Sequence, residues 1–202
     1  MSTLPVNTEV GLTNIRFLEP IGQGGFGCVY LAEIERGNGF RQRVAVKQIH
    51  SEYANDVQLM GRQRDEARLM GTLRHDRIVQ VYDFCAYQGQ MMILMEHIQG
   101  PSVSEILKST VASADLVAQM IYDCSQALLY AWSAPHPDTG LPLQVIHRDI
   151  KPSNIVLSHT GHFKLLDFGI ARAEMTRDVA TGSFQVGTER YMAPEQWLHN
   201  RV

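Results

Sequence analysis

The chain has 202 residues, 45% of them hydrophobic and 19% charged, a composition that favours a folded globular protein over a disordered one. Its formal net charge of −3 gives no general attraction to nucleic acid or to an anionic membrane surface. Three scattered cysteines are too few for a disulfide framework or a zinc site. With neither a signal-peptide pattern nor an apolar run of membrane-spanning length, we expect a cytoplasmic protein without a nucleic-acid partner.

The first half of the chain predicts a β-sheet and one helix. Strand-like patterns lie at 15–21, 28–34, 44–49, 78–87 and 91–97. Between the third and the fourth, residues 55–74 have helical spacing. One face of this predicted helix carries Leu59, Gln63, Glu66, Met70 and Leu73.

The second half changes character after a boundary near residues 96–100. Residues 113–132 predict a long helix with Ser113 as its N-cap. Its apolar stripe consists of Leu116, Met120, Cys124 and Leu128. Two short strands, 154–157 and 162–166, follow around the turn at 158–161. The predicted organisation is therefore an N-terminal tail (1–11), a sheet lobe (12–97) and a mainly helical lobe (98–202).

A glycine-rich stretch, GQGGFG at 22–27, fits the pattern G-x-G-x-x-G, which alone is a weak signal. In a dinucleotide-binding fold a helix follows this pattern, but here a strand-like segment does. The stretch therefore joins two strands. It is either a plain glycine-rich hairpin or a loop whose bare backbone covers phosphate groups.

Lys47 lies in the strand pattern VAVKQI, where a lone lysine usually faces solvent. Glu66 shares the inward face of the predicted helix, and a buried carboxylate without a cation is costly. Lys47 is the strand cation best placed to pair with Glu66.

The stretch HRDIKPSN, at 147–154, concentrates polar and charged groups that no packing face requires. Antiparallel pairing of the two strands that follow sets Ile155 opposite Leu166, and so places Asn154 beside Asp167, about 5 Å apart at Cβ. Carboxylate and amide oxygens are ligands that Mg²⁺ takes together with phosphate oxygens. The alternative is that Asn154 caps a turn and Asp167 begins one.

Two further residues of this stretch are suited to group transfer. Asp149 lies five positions before Asn154 and is suited to accept a proton from, or to orient, a hydroxyl group. Lys151, beside a proline, would bring positive charge near a transferring phosphoryl group.

Together these segments resemble the protein kinase family. Its motifs occur in order: GQGGFGCV, VAVK, Glu66, HRDIKPSN, DFG and APE. The spacings agree as well, with 66 − 47 = 19 and 167 − 149 = 18. Lys151 and Thr188 resemble the residues found at these positions in the serine/threonine branch. The sequences of the motifs are most similar to those of bacterial kinases of the eukaryotic type.

The resemblance implies an α+β two-lobe fold that binds ATP and Mg²⁺ and phosphorylates Ser or Thr of protein substrates. Asp149 would be the catalytic base, Asn154 and Asp167 would hold the metal, and Lys47, aligned by Glu66, would hold the phosphates. The implied nucleotide-binding residues are Ile21, Gly22, Gln23, Gly24, Gly25, Phe26, Gly27, Cys28, Val29, Ala45, Lys47, Met95, Glu96, Ile98 and Val156. Of these, Met95 would lie at the back of the adenine pocket and Glu96 and Ile98 in the hinge, while the apolar ones could equally be plain core.

The resemblance also implies regulation. Arg148 would pair with a phosphorylated loop, for which Thr181 and Ser183 are the candidates, while Thr188 would contact the catalytic loop. A homodimer for autophosphorylation is a further implied partner.

The chain departs from the family in several places. Only seven residues follow Glu195 (202 − 195), where the family's helical lobe normally continues, so we expect a truncated helical lobe. Residues 133–144 form a longer link into the catalytic loop than the family usually has. Gly100, Pro101 and Ser102 replace the double glycine that commonly follows the family's hinge. Two alternatives follow: a small-molecule phosphotransferase such as an antibiotic kinase, or an inactive fragment that binds a nucleotide or a partner.

Overall fold

The computed structural model describes residues 12–24, 27–36, 39–51, 57–168 and 189–194. Within these ranges, seven side chains are outside the description: Leu12, Thr13, Arg36, Leu59, Arg62, Glu66 and Glu189. No helix in the described part of the chain is long and apolar enough to cross a membrane.

Five antiparallel strands form the N-terminal sheet, in the spatial order β1-β2-β3-β5-β4. They are β1 (Leu12–Gly24), β2 (Gly27–Arg36), β3 (Phe40–Ile49), β4 (Val81–Tyr87) and β5 (Gln90–Glu96). The predicted strands are thereby confirmed, although the fourth begins three residues later than predicted. Because β3 lies in the centre, Lys47 belongs to the strand that is paired on both sides.

Both faces of the sheet carry buried hydrophobic residues. Val44 and Val46 of β3 pack with Met92 and Leu94 of β5 in one hydrophobic cluster. The alternate residues, including Ala45, face a larger cluster that also holds residues of the C-terminal half. Successive side chains of a strand point to opposite faces, so Lys47 lies on the face of Ala45, toward the main core.

Helix α1 (Val57–Thr72) forms where the helical pattern predicts it, and it packs against β4. Gln63 and Met70 are buried on its inner side, and Leu73 is buried directly after its end. Leu59 and Glu66, the other members of the predicted face, have side chains outside the described part.

Two helices follow β5. The short α2 (Val103–Ser109), which the sequence pattern did not predict, begins with a capping box between Ser102 and Glu105. The long α3 (Ala114–Ser133) matches its prediction, and the Ser113 side chain accepts a hydrogen bond from the Leu116 N–H at 3.2 Å. Its predicted apolar stripe packs against the main core.

A small hairpin completes the described fold, with β6 (Ile155–Leu157) paired to β7 (Phe163–Leu165). The predicted register is wrong by one residue, since Ile155 lies opposite Leu165 rather than Leu166. The cause is the turn: Ser158 pairs with His162 across three residues, the last of which is Gly161 at φ +83°. A glycine in the left-handed conformation allows this tighter loop, whereas the prediction assumed a wider one.

The N-terminal and C-terminal halves share one core. The main cluster joins Ala45 and Met95 of the sheet to Ala127 of α3 and Leu165 of β7. Residues 77–79 run beside β7, where Leu165 donates to the Arg77 carbonyl and accepts from the Val79 N–H, both at 2.9 Å. The strand that leads to Asp167 is therefore held on both sides.

Candidate active site

His147 is the buried centre of the predicted catalytic loop. Its ring is 2% exposed and packs against Phe168, with 4.4 Å between ring centroids. Burial lowers the pKa of His147, which favours the neutral imidazole. In that form Nε2–H donates to the Leu166 carbonyl at 2.9 Å, and Nδ1 accepts from the Asp149 N–H at 3.3 Å. One ring thus joins the backbone of Asp149 to the residue that precedes Asp167.

Two predicted catalytic residues, Asp149 and Lys151, converge with the predicted metal ligand Asn154 directly after His147. The Oδ2 atom of Asp149 lies 3.0 Å from Lys151 Nζ and accepts from Asn154 Nδ2 at 2.9 Å. Asn154 Nδ2 also donates to the Asp149 carbonyl at 3.0 Å. A 3-10 turn over Pro152–Asn154 brings the asparagine back toward the aspartate. Both side chains of the Asp149–Lys151 pair are largely buried, 5% and 16% exposed, which makes the carboxylate a fixed group.

Lys47 contacts Asp167 across the two halves of the fold. Lys47 Nζ lies 3.2 Å from Asp167 Oδ2, and the lysine side chain is 17% exposed. The solvent-facing interpretation of Lys47 is therefore wrong. Asp167 has φ +45°, so it leaves the line of β7 and brings its side chain toward the sheet. The predicted Lys47–Glu66 pair stays a prediction, because the Glu66 side chain lies outside the described residues.

Asn154 and Asp167 lie on either side of Leu166, whose N–H donates to the Asn154 carbonyl at 2.9 Å. In the described part of the chain no three His, Cys, Asp or Glu side chains are grouped to hold a metal ion by themselves. A carboxylate and an amide oxygen fit an Mg²⁺ ion that takes its other ligands from phosphate and water. Since the Asn154 amide nitrogen is bonded to Asp149, the amide oxygen is the atom suited to the metal.

The glycine-rich stretch forms the predicted hairpin between β1 and β2, in which Gly24 pairs with Gly27. Gly25 and Phe26 lie outside the described residues. A Cβ atom on Gly27 would lie 2.0 Å from the Gln48 carbonyl oxygen, so the approach of β2 to β3 requires glycine there. Val29, two residues on, pairs with Lys47, which puts the base of the loop beside this lysine.

The residues predicted to surround adenine lie mostly in one core. Ala45 and Met95 pair across β3 and β5, and both are buried. Val29 and Ile98 pack against the same cluster, and Val156 is buried in β6 opposite Lys164. The structure therefore brings the set together around the contact between the sheet and the hairpin β6–β7. The exposed part of the set, Ile21 to Gln23, belongs to the end of β1.

A buried carboxylate on α3 escaped the sequence analysis. Asp123 is fully buried, forms an ion pair with Arg77 Nε, and accepts from the Phe163 N–H at 2.9 Å. Burial raises the pKa of Asp123, but the hydrogen bonds from Arg77 and Phe163 lower it more, and the net shift is downward. The four-residue spacing of Asp123, Ala127 and Ala131 could have predicted this burial, because it places all three on the inner face of α3.

An ion pair at the end of β5 was also not predicted from the sequence. Lys164 Nζ of β7 lies 2.5 Å from Glu96 Oε1 at the end of β5. The two residues are 68 positions apart, and no local pattern links them.

Among the predicted regulatory residues, Arg148 is exposed and has φ +63°, between two buried neighbours. Thr181, Ser183 and Thr188 lie outside the described residues.

Comparison with known proteins decides the family. The sequence profile described as "Protein kinase domain" matches residues 15–201. The chain belongs to the protein kinase family. Its antiparallel N-terminal sheet with one helix, followed by helices and the hairpin β6–β7, is consistent with the two-lobe kinase fold.

Several bacterial kinases are similar over nearly the whole chain. Tyrosine-protein kinase MasK of Myxococcus xanthus is 36% identical over 96% of this chain and 32% of its own length. Serine/threonine-protein kinase PrkC of Bacillus subtilis is 33% identical over 90% of this chain and 26% of its own length. PknA of Mycobacterium tuberculosis, also named a serine/threonine-protein kinase, is 35% identical over 96% of this chain and 44% of its own length. The chain thus spans less than half the length of these relatives, and their names favour a protein kinase over an antibiotic-type phosphotransferase.

Proposed function

We propose that the chain is a protein kinase domain that transfers the γ-phosphoryl group of ATP to Ser or Thr hydroxyl groups of proteins in the cytoplasm. The observation that carries the proposal is the fixed carboxylate of Asp149, bonded on one side by Lys151 and Asn154. We also propose that residues 12–97 form the N-lobe and 98–202 the C-lobe, preceded by a tail at 1–11.

Asp149 acts as the base in this proposal. Lys151 and Asn154 hold its Oδ2 atom, which fixes the rotation of the carboxylate toward an incoming hydroxyl group. Asp149 accepts the hydroxyl proton as the new O–P bond forms and the bond to the leaving oxygen breaks. Lys151 Nζ, 3.0 Å from that carboxylate, supplies positive charge beside the transferring group.

Lys47, Asn154 and Asp167 are the groups that would bind the nucleotide phosphates and the metal. Bound Mg²⁺ supplies charge neutralisation of the phosphate oxygens. Lys47 holds the phosphates from the central strand, and Asp167 and Asn154 hold the metal through their oxygens. Support comes from the Lys47–Asp167 contact, which joins the two predicted halves of the phosphate site.

Two substitutions separate these roles. Asp149→Asn should keep the affinity for ATP–magnesium and reduce turnover by roughly 100-fold or more, because only the base is lost. Asp167→Asn should also weaken nucleotide binding, and only when magnesium is present. Nucleotide titrations with and without magnesium, together with phosphate transfer rates, check this, with Asp138→Asn in an exposed loop as the control. Wild-type ATP–magnesium affinity in both variants would refute the division of roles.

The hydroxyl specificity needs its own test, since MasK is named a tyrosine kinase and PrkC and PknA are named serine/threonine kinases. Lys151 and Thr188 support the Ser/Thr assignment through their likeness to that branch. Phosphoamino acid analysis of autophosphorylated protein should find phosphoserine or phosphothreonine. Phosphotyrosine alone would contradict the assignment.

Arg148 supports a proposal about activation. Its exposed side chain directly precedes Asp149, where it would bind a phosphate on Thr181 or Ser183 through charge-assisted hydrogen bonds. A second copy of the chain would add that phosphate in a transient homodimer. Mass spectrometry should find a phosphate on one of these residues in the active protein. Full activity of a Thr181→Ala/Ser183→Ala variant would exclude this mechanism.

A non-catalytic role in binding a nucleotide or a partner is the second candidate. The observation that favours it is the outer side of α3, where Ile121, Tyr122, Leu129 and Trp132 are each about half exposed. Wild-type protein that binds ATP–magnesium but transfers no phosphate to itself or to a generic protein substrate would favour this role over catalysis.

A further inference from the structure

The ion pair between Lys164 and Glu96 connects two parts of the fold that the proposed mechanism uses separately. Glu96 ends β5, directly after Met95 of the predicted adenine site, and Lys164 lies three residues before Asp167. Their Nζ and Oε1 atoms are 2.5 Å apart, and the side chains are only 15% and 27% exposed. The contact is therefore largely shielded from solvent and holds the hinge against β7.

A backbone connection runs parallel to this ion pair. The Glu96 N–H donates to the Gln80 carbonyl at 2.8 Å, and the Gln80 N–H donates to Glu96 Oε2 at 3.3 Å. The neighbouring Val79 N–H donates to the Leu165 carbonyl at 2.9 Å. Both carboxylate oxygens of Glu96 are thus engaged, one by the segment that borders β7 and the other by β7 itself.

The chain from Lys164 to Asp167 is also held by hydrogen bonds. From Lys164 the chain passes through Leu165, whose backbone is bonded to residues 77 and 79, to Leu166, whose carbonyl accepts from His147. Asp167 follows at φ +45° and contacts Lys47. A displacement of Lys164 relative to Glu96 would therefore shift Asp167 relative to the hinge.

We propose that Lys164 is a positioning residue that, by holding Glu96, sets the distance between the adenine end and the metal end of the nucleotide site. The proposal rests on the proposed function, because it assigns adenine to the hinge and magnesium to Asp167. Two binding subsites held at the correct separation bind a ligand that spans both more tightly than subsites free to move. Lys164 would therefore matter for a nucleotide that reaches both ends, and much less for one that reaches only the hinge.

The test compares two ligands on the same variants. Adenosine occupies the adenine end alone, and a non-hydrolysable ATP analogue with magnesium occupies both. For Lys164→Met we expect the dissociation constant of the analogue with magnesium to rise roughly tenfold, and that of adenosine to change by less than about twofold. Lys164→Arg should recover most of the loss, because it restores the cation. Lys108→Met, the same substitution at an exposed lysine, is the matched control.

The outcomes separate positioning from general stabilisation. An equal loss of affinity for both ligands, or unchanged affinity for both, would overturn the proposal. Where Lys164→Met does not give folded protein by thermal melt, Lys164→Gln provides the same comparison, since it removes the charge of the same side chain and leaves Glu96 of the predicted adenine site unchanged.

Failure of the proposed function gives a different result from failure of this inference. Wild-type protein that binds neither ligand would refute the nucleotide site as a whole. Wild-type protein that binds both and transfers phosphate, with Lys164 variants indistinguishable from it, would refute the positioning role alone.

Discussion

Replacing Asp123 by alanine should be among the most destabilising single changes in the chain. The substitution removes the acceptor of the Phe163 N–H and the anion that pairs with Arg77, whose side chain is 20% exposed. Breaking a buried ion pair by removing one partner costs about 3–5 kcal/mol, and a buried N–H without an acceptor about 1–3 kcal/mol. Because Arg77 can turn part of its charge toward water, we expect a total near 4 kcal/mol rather than the sum of both terms.

Urea unfolding followed by circular dichroism measures this loss. Asp138→Ala is the matched control, since the Asp138 side chain is 87% exposed and its contact with a histidine nitrogen is long, at 4.0 Å. Its unfolding free energy should stay within about 0.5 kcal/mol of the wild type. The double variant Arg77→Met/Asp123→Leu should recover part of the loss, because it leaves no unpaired charge in the core.

The reasoning fails if Asp123→Ala loses less than about 1 kcal/mol, a value typical of an exposed contact. It also fails if the double variant is less stable than Asp123→Ala, because the unpaired Arg77 charge would then not be the main cost.

Three further predictions concern other parts of the fold. Gly100→Ala should destabilise the protein by about 2 kcal/mol or more, because Gly100 has φ +153° and a Cβ atom there would lie 1.8 Å from a β6 carbonyl oxygen. Gly61→Ala, in α1 with nothing within 4 Å of the added Cβ, should stabilise the protein by up to about 1 kcal/mol. Urea titration compares the two variants. Burial raises the pKa of Cys85 and of Cys124 to about 11, so neither should react with iodoacetamide at pH 7.5 in folded protein, and mass spectrometry that finds both alkylated would contradict this. Burial lowers the pKa of His147, His75 and His97, so the unfolded chain binds more protons than the folded one below about pH 6.5. The melting temperature should therefore fall from pH 7 to pH 5. A constant melting temperature would be evidence against neutral buried rings.

The parts of the site that the sequence predicts are those determined over short distances along the chain. The β1–β2 hairpin follows from glycines between two strand patterns, and the group of Asp149, Lys151 and Asn154 spans only six positions. A proline-started turn is enough to bring such close neighbours together. These predictions depend on local backbone preferences, which the sequence expresses directly.

The parts that the sequence did not predict depend on one turn or on distant contacts. The register of β6 and β7 is decided by the left-handed conformation of Gly161, which a wider turn over the same residues would not require. A shift of one residue moves every side chain of a strand to the opposite face, so this single turn alters the predicted neighbours of Asn154. The pair of Lys164 and Glu96 depends on two elements that meet only after the sheet has packed on the hairpin.

The corrected register changes how the two residues proposed to bind the metal relate to each other. In the predicted register Asn154 and Asp167 are direct neighbours in a ladder, but in the structure Leu166 occupies that place and accepts from His147. Asp167 then turns out of the strand and lies 3.2 Å from Lys47, where a cation bound to its carboxylate would face the lysine charge. Phosphate groups between the two would be attracted to both cations. If Asn154 and Asp167 bind the metal as proposed, the arrangement favours magnesium that arrives with a nucleotide over magnesium alone. The central strand is then as important to the proposed metal site as the hairpin.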